Sequence, residues 1–164
     1  MRSFVAAVAF LVAGSANGGR SKAVGALPRC PSVTLVATGD WSQIQQGDGF
    51  ALRLPACFQN EEGPRFVHGG HRWRCDAMKV EAVWGMWAPG SFGERKECRM
   101  SFAGVPAMVA TASGADGVSV LVWYLTGTIH EPIISARSSK ADDLPVLTSV
   151  AYSGRLSVPR GPNR

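Results

Sequence analysis

The chain has 164 residues, 46% hydrophobic and 18% charged, a balance that fits one globular domain with a single core and excludes a disordered polyelectrolyte. Its formal net charge is +5, but the Lys and Arg residues are scattered, with Arg65, Arg72 and Arg74 the nearest to a cluster. Nucleic-acid binding, which needs clustered cations interleaved with exposed aromatics, is therefore not expected.

At the N-terminus, Arg2 precedes an apolar run from Phe4 to Ala13 and then the small residues Gly14, Ser15 and Ala16. That order predicts a secretory signal peptide over residues 1–18. The run is about half of the ~20 residues needed to cross a bilayer, so no transmembrane segment is expected once it is cleaved. Residues 19–31 are small and polar and read as a flexible leader. Export implies an oxidising compartment, where the four cysteines, Cys30, Cys57, Cys75 and Cys98, read as two disulfides.

A single globular domain is expected over residues 32–153. The β-branched run at 32–38 reads as a short strand. Residues 49–54 alternate, with Phe50, Leu52 and Leu54 on one side, until Pro55 stops the strand. The glycine-rich stretch 56–77 has no sustained period and reads as a long loop. Residues 78–87 form a strand with large apolar groups on both faces, Trp84 and Trp87 among them, so both faces are expected to be covered. Residues 98–112 read as one strand interrupted at 103–106. Asp116-Gly117 supplies a hairpin turn. Residues 118–127 are the strongest strand and are placed at the centre of the sheet. One more strand follows at 131–139. Leu144, Leu147, Val150 and Ala151 then take helical spacing, with Asp142 or Asp143 as the cap and Pro145 in the first turn. Residues 154–164 are a basic, loose tail. The fold class is α+β: an antiparallel sheet of about five or six strands with few short helices, stabilised by disulfides.

The order "GFALRLP-ACF", "VEAVWG", "GVPAMVATA-SGADG-VSVLVWYL" and a closing "DLPVLTSVAYS" over roughly residues 48–153 resembles the PsbP-like fold. That α/β/α sandwich occurs in photosystem accessory proteins and in many exported bacterial proteins. The fold carries a longer helix between its first strands, where this chain has "QNEEGPRFVHGGHRWRC". The resemblance implies an architecture and an accessory role without common enzymatic chemistry, and it transfers no functional residue.

The segment "HGGHRWRC" offers His68, His71 and Cys75 as metal ligands. A flexible Gly-Gly spacer, the absence of HExxH and an oxidised Cys75 weigh against that, and a loop with Trp73 buried is the preferred reading. A Cys–His nucleophile would be silenced by the same disulfide, and neither GxSxG nor a phosphate-binding glycine loop is present. Glu61-Glu62 and Asp142-Asp143 read as solvated turns and a cap; Glu94 with Glu97 is a further carboxylate pair. Trp84, Trp87, Trp123 and Tyr124 are more aromatic surface than one small sheet needs, and some of them are expected to line a ligand surface.

Strand direction gives the disulfides. If 49–54 and 78–87 are antiparallel neighbours, Cys57 and Cys75 lie at the same end of the sheet. Cys98 then lies at the opposite edge, beyond the ~7 Å reach of a bridge to Cys75. The pairing expected is Cys57–Cys75 and Cys30–Cys98. The functional expectation is an exported, periplasmic or secreted, non-enzymatic binding or accessory domain, with no cofactor and with a protein or small ligand as partner. A secreted metal-binding protein using His68 and His71 is the alternative, and a hydrolase with an unrecognised site a weaker one.

Overall fold

The computed structural model describes residues 26–46, 50–61, 70–84, 94–127 and 131–156. The expected signal peptide, His68, Trp87 and residues 157–164 lie outside them.

The fold is sheet-rich α+β. Seven antiparallel strands are ordered β3 (Gln59–Asn60), β4 (Gly70–Cys75), β5 (Met78–Trp84), β9 (Pro132–Ser138), β8 (Gly117–Tyr124), β7 (Val105–Gly114) and β6 (Glu94–Phe102). A second sheet holds β1 (Ser42–Gln46), β2 (Phe50–Leu54) and β10 (Arg155–Leu156), with β2 in the middle. The helix α1 (Leu144–Tyr152) follows a 3-10 turn at Ala141–Asp143 and packs on β8, β9 and β2.

Period-2 alternation explains the large sheet. Val80 and Ala82 of β5, Val118, Val120, Val122 and Tyr124 of β8, and Ile134 and Ala136 of β9 point inward, where they meet Leu147, Val150 and Ala151 of α1. Leu52 and Leu54 bring β2 into the same core. Small polar contacts fasten the second sheet and the chain before it to the helix. The Arg53 N–H donates to Ser153 Oγ at 2.9 Å and the Val36 N–H to Ser149 Oγ at 2.7 Å.

Several expectations need correction. Residues 32–38 form no strand, and Val33, Leu35 and Val36 among them are exposed. The stretch read as a long loop contributes β3 and β4, because "HRWRC" does alternate: Trp73 and Cys75 are buried while Arg74 is exposed. The supposed interruption at 103–106 is a full reversal into two strands. Ala103 (φ 50°) and Gly104 (φ 87°) make the turn, both left-handed as a two-residue hairpin requires. The strand β8 is not central; β9 is, fourth of the seven. Six of the seven β9 residues are buried, which suits a strand covered on both faces better than its weaker sequence signal suggested. The strand β2 is not a neighbour of β5, since the two lie in different sheets. Among the described residues the strands number 10. Asp143 stands at the helix N-cap but its carboxylate makes no capping bond; it accepts the Ser138 hydroxyl at 2.5 Å instead. Residues on either side of 32–153 also join the sheets. Pro28 and Cys30 bond to Arg99 of β6, and Arg155–Leu156 pairs with β2.

The hairpin at Asp116-Gly117 forms as the turn signal predicts. Gly117 has φ +118°, and a Cβ there would run into the Ser138 carbonyl of the neighbouring strand.

Candidate functional site: the charged end of the outer sheet face

Both disulfides form with the predicted pairing. Cys57–Cys75 has a Cα–Cα distance of 5.4 Å and Cys30–Cys98 one of 4.8 Å. Among the described residues no cysteine is free and no three His, Cys, Asp or Glu side chains converge as a metal site. His71 points to the inner side of β4, stacked on Trp73 at 5.8 Å and edge-on to Trp84 at 6.3 Å between ring centroids.

Trp84, Trp123 and Tyr124 do not share one surface. Trp84 packs against the inner core cluster. Tyr124 has 0% exposure there, and burial pushes its hydroxyl well above the ordinary tyrosine range. Trp123 has the opposite parity and reaches the outer face, where its indole N–H donates to Glu131 Oε2 at 2.6 Å. It lies against an outer apolar cluster of Val83, Met108, Ala110, Leu121 and Ile133, with Leu27 from the N-terminal stretch alongside.

Four residues along β5 from Val83 and along β9 from Ile133, the same outer face becomes charged. Arg74 pairs with Lys79 across β4–β5, and Lys79 with Arg137 across β5–β9. Ser119 continues the row on β8. Three cations therefore stand side by side on adjacent strands. One row further in, Arg72 faces Glu81, and Glu61 extends the β3 edge by donating its N–H to the Arg72 carbonyl at 2.8 Å.

The carboxylates are shared. Glu81, 3% exposed, accepts Arg72 Nε at 2.8 Å and has Lys79 Nζ at 3.8 Å. Glu61 meets Arg74 Nη2 at 3.0 Å, Arg72 Nε at 3.7 Å and Lys79 Nζ at 3.9 Å. Among the described residues Arg72, Arg74 and Lys79 share Glu61 and Glu81, and Arg137 pairs in register with Lys79 on its other flank. Burial, with Arg72 and Arg137 adding to it, holds the Lys79 ammonium below its ordinary pKa; Glu81 and Glu61 offset this only in part.

Beyond this row the sheet ends in a cleft of about 250 Å³. Arg74, Lys79 and Arg137 line it with Asp76 of the β4–β5 turn, Asp116 of the β7–β8 turn and Ser139. A more apolar groove of about 690 Å³ lies beside Cys30, lined by Arg29, Met100, Pro106 and Leu125.

Sequence reasoning noticed Arg72 and Arg74 but not Lys79 or Arg137. The signal was present, since Arg74, Lys79 and Arg137 each occupy an outward parity position. It became legible only once β9 was known to pair with β5. A scan against protein-family models found no match for this chain, and a search of curated proteins found none either.

Proposed function

We propose that this protein is a non-catalytic binding domain that works in an oxidising compartment, exported and either periplasmic or secreted, and that it binds through the charged end of its outer sheet face. The observation carrying this reading is the row Arg74–Lys79–Arg137, in which like charges are held together on a rigid sheet beside a cleft. Positive side chains set in one line on a rigid sheet can meet a negatively charged group of a ligand or partner together. Two disulfides, one toward each edge of the large sheet, support the compartment, because such bridges persist where thiols are not kept reduced. An antiparallel sheet backed by a helix supports an architecture of PsbP-like type and an accessory role.

Thermal-shift screening of the oxidised protein against anionic, cationic and neutral small molecules tests the reading. Anionic members should raise the melting temperature, and Lys79→Glu should abolish the rise. If no ligand of any class stabilises the folded protein, the binding reading is wrong.

A further inference from the structure

We propose that Cys57 is a thiol-exchange site: in the folded protein it gives up its bridge to Cys75 and takes up a low-molecular-weight thiol as a mixed disulfide. The inference goes beyond the binding reading and does not depend on it.

Three observations carry it. The first is the unequal burial of the two bridged residues. Cys57 is exposed in the turn that leads from β2 to β3, whereas Cys75, the last residue of β4, is 7% exposed. Access decides which sulfur of a disulfide is attacked, so an incoming thiolate meets Cys57 and Cys75 is the leaving group. The second is room. A cleft of about 370 Å³ opens beside the bridge, lined by both cysteines and by Gln59, Asn60 and Asp76. That space admits a small thiol without unfolding of the sheet. The third is that the fold does not hang on this link. Strand β4 keeps its six residues in register with β5. On the other side of the bridge Leu52 and Leu54 anchor β2 in the core, and half-buried Phe58 rests on the same cluster. The bridge closes 18 positions of sequence where Cys30–Cys98 closes 68, so opening it frees less chain entropy.

The other bridge offers no exposed cysteine. Cys30 and Cys98 are both half-buried and both pack against the inner core cluster. Cys30 does line the apolar groove, but its N–H is bonded to the Arg99 carbonyl at 3.0 Å, and Cys98 sits inside the nine-residue β6.

The exchange balances. The external thiolate bonds to Cys57 Sγ, the Sγ–Sγ bond to Cys75 breaks, and Cys75 leaves as a thiolate that takes a proton from water. One disulfide replaces another, so no oxidant is consumed. Strand β4 keeps Cys75 near Cys57, whose Cα lies 5.4 Å away in the closed bridge. Cys75 therefore re-forms the bridge and expels the adduct once the external thiol is removed.

Reduced glutathione added to the oxidised full chain in native buffer, followed by acid quenching and peptide mapping, tests the site. Glutathione should appear on Cys57, with Cys30–Cys98 intact and the tryptophan emission maximum unchanged. Two variants separate access from bridge opening. The free Cys57 of Cys75→Ser should take glutathione from oxidised glutathione about tenfold faster than the free Cys75 of Cys57→Ser, since exposed thiols react and buried ones are inert. Low urea should speed the reaction of Cys75 but not that of Cys57. If either variant fails to fold, the wild-type mapping decides alone. Glutathione on Cys75 in the wild type, or equal rates in the two variants, overturns the assignment. Opening of both bridges at the same rate overturns it as well, as does exchange at Cys57 that begins only in urea.

Discussion

The two edges of the large sheet are closed in different ways. At one edge β3 contributes only two residues against β4, and Cys57–Cys75 fastens the turn that leads into it across 18 positions of sequence. At the other edge β6 runs for nine residues. Its cover there, Pro28 to Cys30, bonds to Arg99 through two backbone hydrogen bonds of 2.8 and 3.0 Å. Cys30–Cys98 ties that cover down across 68 positions. An unpaired edge invites pairing with another chain. The short edge needs little protection. The long one combines a tethered cover with the charged residues Arg95, Lys96, Glu97 and Arg99. A local bridge therefore suffices where the neighbouring strand is local, and a remote bridge serves where the covering segment comes from far along the chain.

That contrast ranks the cost of cutting each bridge. Cys30→Ser with Cys98→Ser removes the longer loop and should destabilise the fold by about 4 kcal/mol in the chain-entropy model. The loss should appear as a lower urea midpoint, together with self-association through the uncovered β6 edge. Cys57→Ser with Cys75→Ser should cost about 3 kcal/mol, without self-association. If the second pair proves costlier than the first, loop length is not what separates the two edges.

The charged end of the outer face sharpens the comparison, because it belongs to the β4 side. Arg72→Met leaves Glu81 buried with Lys79 as its nearby counter-ion. Splitting a buried pair often costs 3–5 kcal/mol, but the shared ammonium limits the loss here to about 2 kcal/mol. Arg95→Met, at the half-exposed pair Arg95–Glu97 on the β6 side (2.9 Å), should cost about 1 kcal/mol or less. Equal losses from the two variants in chemical denaturation would falsify the view that the deeper burial of Glu81 makes its network the costlier of the two to break.

The disulfide pairing was legible in the sequence, though by a route that is partly mistaken. Cys98 does lie at the opposite edge from Cys75. Cys57 reaches Cys75 because β3 pairs with β4, with Gln59 opposite Arg74, and not because residues 49–54 neighbour β5. Helix α1 was legible because its apolar spacing survives Pro145, which is tolerated early in a helix. Strand β4 was hidden because Gly69-Gly70 and the two arginines mask an alternation of only six residues. Sheet order was hidden because the pairing of β5 with β9 joins segments about fifty residues apart, and no local signal encodes it. The candidate site inherits that opacity: its three cations come from β4, β5 and β9, and only their register makes them one row.

The smallest effect separates the same two sides by pH. Lys79 is held below its ordinary pKa of 10.5 by burial, Arg72 and Arg137, against the opposing pull of Glu81 and Glu61. Between its folded pKa and 10.5 the unfolded chain binds more protons at this group than the folded one, so this contribution to stability increases with pH across that interval. Tyr124 and Tyr152 act in the opposite sense. Burial raises both above their ordinary value of 10.0, so above pH 10 the unfolded chain releases protons first and stability falls. The urea midpoint should therefore climb as pH approaches 10 and decline beyond it. Lys79→Met should lose the climb and keep the decline, since the tyrosines lie in the core beneath β8 and the helix. A climb that persists unchanged in Lys79→Met would mean that the row Arg74–Lys79–Arg137 is adequately compensated in the folded protein, and the charged end would then differ from the β6 side in composition but not in energy.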